Sequence, residues 1–141
     1  MDRGALEASL DMGIEHGGWC PKGRRSEDGQ VPNIYNLVET SSKEYPPRTK
    51  MNVESSDATL IITKGVSGRG TQLTIRYCKA YNKPYMVVDL LDNLDHLPII
   101  LWLENNDVKC LNVAGSREST HSGIQHQTRN FIYEVLKKYN E

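Results

Sequence analysis

The sequence predicts an α/β fold on a mostly parallel sheet, and three observations carry that expectation. Ala58-Thr59-Leu60-Ile61-Ile62-Thr63 is an unbroken apolar and β-branched run, the composition of a strand buried on both faces. Other strand-like runs alternate with stretches of helical periodicity, which implies parallel strands joined by right-handed crossovers. Three loops that combine glycine with cations, at 17–29, 64–71 and 114–119, each follow a strand-like run. Parallel sheets bind ligands outside the carboxyl ends of their strands, so the three loops are expected to meet at one edge.

Taken in order, Ala5 to Met12 reads as a short amphipathic helix, with Leu6 and Leu10 on one face and Gly13 as its stop. Ile14 to Trp19 follows as a short strand, and Ile34 to Val38 as an extended segment. Pro46-Pro47 starts a helix running to about Ser55, because proline suits a first turn. After the Ala58–Thr63 strand, Gly65–Thr71 opens a helix to about Tyr81, and Pro84 introduces a strand over Tyr85–Leu90. Helical periodicity covers Leu94 to Glu104, with Pro98 confined to the first turn. The last unit is a strand over Val108–Val113, a loop, and a closing helix from Gly123 to Tyr139 with Phe131, Val135 and Tyr139 as its core stripe.

A chain of 141 residues, 38% hydrophobic and 25% charged, has the composition of one ordinary domain, here expected over 1–141. Its formal net charge of -1 removes the case for a globally basic nucleic-acid binder. No apolar run reaches the length of a membrane span and the start lacks a signal-peptide layout, so a cytoplasmic protein is expected, with neither nucleic acid nor membrane as partner. Cys20, Cys78 and Cys110 make no disulfide or metal pattern. Cys78, in a helix, and Cys110, in a strand, read as small core residues, whereas Cys20 lies near cations that favour a thiolate. His16, His96, His121 and His126 show no metal-ligand spacing. Asp57 reads as a polar strand boundary.

The segment Gly17-Gly18-Trp19-Cys20-Pro21-Lys22-Gly23-Arg24-Arg25-Ser26-Glu27-Asp28-Gly29 joins backbone freedom to three cations, as an anion-binding loop does. A plain solvated turn is the competing reading.

With these loops in view, the chain resembles the family called putative molybdenum carriers. That family is Rossmann-like and related to the lysine-decarboxylase-like phosphoribohydrolases. The residues that carry the resemblance are Asp2-Arg3-Gly4-Ala5-Leu6, Gly17 to Arg24, Glu27-Asp28-Gly29, Arg48-Thr49, Asn52-Val53, Ser56-Asp57, Gly70-Thr71 and Leu111 to Gly115 with Arg117-Glu118-Ser119. The resemblance implies a three-layer Rossmann-like domain. Family members begin with a strand and a Gly-Gly-Gln-Thr-Gly loop before the pair that is Asp2-Arg3 here, so a first strand is expected upstream of Met1.

The resemblance also implies molybdenum cofactor (molybdopterin), an anionic pterin with a terminal phosphate. A homo-oligomer and a molybdoenzyme acceptor would be its partners. The expected binding residues are Asp2, Arg3, Trp19, Lys22, Gly23, Arg24, Gly68, Gly70, Thr71, Gly115, Arg117 and Glu118. Lys22, Arg24 and Arg25 can give charge-assisted hydrogen bonds, and Gly68, Gly70 and Thr71 sit where a helix N-terminus suits phosphate. Trp19 can stack on a heterocycle or serve as core. Arg117 either faces the ligand with Glu118 orienting it, or forms an ion pair that holds its loop.

The phosphoribohydrolase relatives carry a Gly-Thr-x-x-Glu acid; here Thr74 stands at the Glu position, and threonine is a poor general base. Hydrolysis of that type is disfavoured and no catalytic residue is assigned. A nucleotide-processing enzyme using Asp2, Asp57 or Glu118 is the alternative, and a nucleotide-sensing domain is a third reading.

Overall fold

The computed structural model describes residues 2–12, 17–20, 22–26, 29–32, 34–42, 44–65, 69–91, 96–115 and 123–139. Three strands, β5 (Ala58–Thr63), β6 (Tyr85–Asp89) and β7 (Leu111–Gly115), form a parallel sheet in the order β6-β5-β7. Two small sheets precede it in the chain. β1 (Trp19–Cys20) pairs in parallel with β4 (Val38–Glu39), and β2 (Arg25–Ser26) pairs antiparallel with β3 (Gly29–Gln30). The helices are α1 (Asp2–Met12), α2 (Tyr45–Glu54), α3 (Arg69–Ala80), α4 (Leu97–Asn105) and α5 (Ile124–Tyr139).

β5 is central and every one of its residues is buried, as its continuous apolar run requires. Leu60 and Ile62 share the main core with Val88, Ile99, Leu103 and Ile132. On that face α5 packs between α1 and α4, and α1 also touches β7. The α1–α5 contact is close because Gly4 has no side chain: a Cβ there would lie 2.4 Å from the Gln125 carbonyl oxygen. Phe131 and Val135 are core residues as their spacing predicts, while Tyr139 is half-buried and its hydroxyl donates to the Val108 carbonyl.

The opposite face of β5 is covered by α3 and carries polar groups. Asn112 Nδ2 donates to Thr59 Oγ1 at 3.2 Å, and Thr71, Thr74 and Cys78 form the buried side of α3 at helical spacing. Burial pushes the Cys78 thiol above its ordinary range despite a hydrogen bond from Thr59, so it stays a packing group. α2 packs against α3, and a hydrogen bond to Tyr81 raises Lys50 above its usual lysine value across this contact.

Several boundaries differ from the sequence expectation. α1 starts at Asp2 rather than Ala5, and the segment expected as a strand over Ile14–Trp19 is β1 at Trp19–Cys20, with 13–16 outside the described residues. The extended Ile34–Val38 segment contributes only β4. The last strand begins at Leu111, not Val108, and Cys110 is exposed rather than core. Asp57 supplies the reason. Its Oδ2 accepts the Lys109 N–H at 3.0 Å and the Cys110 N–H at 2.8 Å, holding both residues in a turn before the ladder starts.

Those two backbone bonds, led by Cys110, hold the Asp57 carboxyl below its ordinary value of 3.8. A depressed folded-state value means that Asp57 stabilises the fold above the unfolded-state value and loses that contribution as pH falls through the folded one. The stability gap between the parent and Asp57→Asn, measured by urea unfolding, is therefore expected to be constant at neutral pH and to close as pH drops below 3.8.

Candidate functional site

The carboxyl edge of the three-stranded sheet gathers the first group of expected residues. β5 ends at Thr63, and the chain turns at Gly65, whose φ of +80° favours glycine. The Asp89 carboxylate at the end of β6 fixes this turn: its Oδ1 accepts the Gly65 N–H at 3.0 Å and the Leu91 N–H at 2.9 Å. Sequence reading gave Asp89 no role, although an aspartate closing a parallel strand beside a glycine-rich loop is a legible signal.

From that turn the chain enters α3, so the N–H groups of its first turn lie at the carboxyl edge. Gly70 is exposed, with nothing within 4 Å of where a Cβ would be. Thr71 is only 2% exposed, and no described residue pairs with its hydroxyl. Thr74, at the position of the relatives' acid, is buried and donates to the Gly70 carbonyl at 3.0 Å. It is committed to its own helix.

Gly115 closes β7 beside Ile62, with φ +147°. A Cβ at Gly115 would sit 1.8 Å from the Ile62 carbonyl oxygen, so the close approach of these two strand ends depends on glycine. α5 starts on the same edge because it follows β7. α1 joins it, since Gly4 of its first turn meets Gln125 and Arg129 of α5, and Glu7 accepts from Gln125. The N-termini of α3 and α5 thus lie at the carboxyl edge, with the first turn of α1 packed beside that of α5, each end carrying the partial positive charge of its helix dipole. Gly68, Arg117, Glu118 and the side chains of Asp2 and Arg3 lie outside the described residues, although the backbone of Asp2 and Arg3 opens α1.

The second group, Trp19, Lys22, Gly23 and Arg24, does not grow from this sheet. Its strand β1 pairs with β4, and it reaches the rest of the molecule through α2. The Asn52 side chain of α2 makes that link. Its Oδ1 accepts the Trp19 N–H at 2.8 Å and its Nδ2 donates to the Trp19 carbonyl at 3.2 Å, so an amide side chain imitates a paired strand. Trp19 itself is half-buried.

Beyond Trp19 the backbone is tied down at residues 22–24. Lys22 N–H donates to the Ser42 carbonyl at 2.7 Å, Gly23 N–H to Glu39 Oε1 at 2.6 Å, and Val31 N–H to the Arg24 carbonyl at 2.7 Å. Gly23 turns with φ +81°, leaving the Lys22 side chain exposed beside it.

Arg24 differs from the ligand donor the sequence suggested. Its Nε donates to the Val31 carbonyl at 3.0 Å, and its NH2 group to those of Pro32 and Tyr35 at 2.9 Å each. A longer contact of 3.4 Å runs from NH1 to the Leu37 carbonyl. The guanidinium fork is filled by main-chain oxygens, so its geometry is that of a clasp on residues 24–37.

Asn52, quoted in the sequence only as part of a motif, is the residue whose mechanical role sequence reasoning missed. Asn52→Ala removes both partners of the Trp19 backbone. Each lost bond is worth about 1 kcal/mol, so amide exchange over residues 17–26 is expected to speed up about tenfold or more. Hydrogen–deuterium exchange mass spectrometry reads this directly; unchanged protection would mean that β4 alone holds the loop.

Cys110 is no nucleophile candidate, because desolvation and the nearby Asp57 charge raise its thiol above the ordinary range. Among the described residues no group of three His, Cys, Asp or Glu side chains is placed to hold a metal ion, and no helix is long and apolar enough to cross a membrane.

Among curated proteins no match is found. The chain is similar to a crystal structure from Syntrophus aciditrophicus described as a "putative molybdenum carrier protein". The two share 36% identity over 95% of this chain and 86% of that one, with a TM-score of 0.86. The α/β fold is Rossmann-like, and residues 1–136 match a single family along nearly their whole length. The chain belongs to the circularly permutated YpsA SLOG family.

Proposed function

We propose that this protein is a cytoplasmic carrier that binds molybdenum cofactor, holding the anionic, phosphate-bearing end of the pterin at the carboxyl edge of the sheet. The observation that carries the reading is that α3 and α5 each follow a strand of the same parallel sheet and so open at its carboxyl edge, with Gly70 and Thr71 in the first turn of α3. The positive end of the α3 dipole suits a phosphate, and the Thr71 hydroxyl can donate to the same oxygens. The donor set fits the phosphate end of such a ligand, with Gly70 exposing backbone for close approach. In this reading the β1 loop contributes Lys22 as an exposed cation, and Trp19 offers a ring for stacking on the heterocycle. The description of the Syntrophus relative as a molybdenum carrier supports molybdenum as cargo, and the reading rests on the organic anion rather than on direct metal ligation.

Binding asks little of acid–base groups. Gly70, Thr71 and Lys22 bind and orient the anion, and the half-buried surface around Trp19 excludes water from the ring. In this reading Arg24, Asn52, Glu39 and Asp89 hold the two loops in place before the ligand arrives, which lowers the ordering cost of binding.

Native mass spectrometry and equilibrium dialysis with molybdopterin and with nucleoside monophosphates test the proposal. Retention of the pterin is expected, with Lys22→Ala and Thr71→Val each weakening it about five- to thirtyfold, the equivalent of about 1–2 kcal/mol for a lost charge-assisted bond. Turnover of a nucleoside monophosphate would instead favour a nucleotide-processing enzyme, and tight nucleotide binding without turnover a sensor. Pterin affinity untouched by both substitutions would move the site elsewhere.

A further inference from the structure

The β6–α4 flank of the sheet carries four of the exposed large apolar side chains: Val87 (48% exposed), Leu91 (65%), Leu97 (56%) and Leu101 (47%). β6 is an edge strand, and among the described residues nothing pairs with its outer side. Edge strands are usually guarded by charge, proline or a covering element. β6 has only Asp89, at its end, which already accepts from Gly65 and Leu91. α3 has its main sheet contact with β7 and Val87 is exposed, while α4 packs against α5.

We propose that this flank is a homodimer interface, in which β6 pairs antiparallel with β6 of a second copy across a twofold axis through Met86. Hydrogen-bond parity fixes which groups are offered. Thr59 N–H donates to the Pro84 carbonyl and Leu90 N–H to the Thr63 carbonyl, so residues 84, 86, 88 and 90 face β5, while Tyr85, Val87 and Asp89 direct their main-chain groups outward. With Met86 opposite its own copy, Tyr85 and Val87 become mutual partners in two hydrogen-bonded pairs.

The side chains agree with this register. Tyr85 stands beside Val87 of the second copy, a favoured aromatic and β-branched pair, and Lys83 stands opposite Asp89 of the second copy, a pair of opposite charge. Both pairs occur twice by symmetry, so a second copy of this chain satisfies the edge at every position. On the Met86 face the twofold brings α4 toward its counterpart, covering Leu97 and Leu101, which lie one helical turn apart. Among the described residues, two three-stranded sheets then become one of six.

Analytical ultracentrifugation of the full chain from nanomolar to tens of micromolar concentration tests this. A monomer–dimer equilibrium is expected, weakened about tenfold or more in Kd by Val87→Lys and, separately, by Leu101→Glu. Both sites are exposed, so circular dichroism should show the parent fold in each variant; Leu101→Glu, on a helix surface, serves if Val87→Lys disturbs β6. A protein that stays monomeric throughout, or a dimer whose Kd neither substitution changes, overturns the proposal.

Discussion

Gly115→Ala is expected to cost about 3–5 kcal/mol of folding stability, from backbone strain at positive φ added to overpacking of a filled site. The added Cβ would lie 1.8 Å from the Ile62 carbonyl oxygen, 2.8 Å from its carbon and 3.0 Å from its nitrogen. All three are main-chain atoms of the central strand, so no flexible side chain can move aside. The strand end at φ +147° must open, and the β5–β7 ladder opens with it. Gly70→Ala is the matched control, because its Cβ meets nothing within 4 Å and alanine favours a helix. Urea unfolding should show a large fall for Gly115→Ala and none for Gly70→Ala. A fall under about 0.5 kcal/mol at Gly115 would mean that the close strand approach is wrong.

Arg24→Gly separates a clasp from a ligand donor. Arg24 has φ +56°, which glycine adopts without strain, so the substitution permits the same backbone geometry while removing the side chain and its guanidinium. The carbonyls of Val31, Pro32 and Tyr35 lose their donor. Hydrogen bonds from a charged group are worth about 1.5–3 kcal/mol, partly offset here by solvent access and by the relief of positive φ, leaving about 2 kcal/mol of local opening. Faster amide exchange across residues 24–37 is expected in the ligand-free protein, with loss of ligand affinity as a consequence. Arg24→Lys should behave nearly as badly, since an ammonium cannot reach several carbonyls in one plane. If ligand-free exchange is unchanged and lysine restores affinity, Arg24 binds the anion directly and the clasp is secondary.

Much of the central fold was legible from residue patterns. Ala58–Thr63 forms a buried strand over the expected residues, and α2, α3 and α5 lie within a residue or two of their predicted ends. These elements announce themselves because burial on both faces demands a continuous apolar run, and burial on one side demands helical spacing. β7 was misplaced by three residues, since Val108 is apolar and buried without being paired. Asp57, more than fifty residues away, decides where that ladder begins.

The candidate site divides in the same way. Glycine and cation content pointed to the loops, and the position of Thr71 at the start of α3 followed from local sequence. Which cation is available did not follow. Lys22 and Arg24 are two residues apart and chemically similar, yet one stands exposed and the other donates its guanidinium hydrogens to carbonyls of residues 31–37.

By itself, the sequence determined the alternation of strands and helices in the second half of the chain and the buried central strand, because these are set by local burial and backbone freedom. Only the tertiary structure decided that Asn52 stands in for a strand beside Trp19, that Gly115 is required by the backbone of Ile62, and that Arg24 is a clasp. Those roles are contacts between residues distant in the chain, fixed by where the folded backbone leaves an unpaired carbonyl, an unpaired N–H or no room for a Cβ.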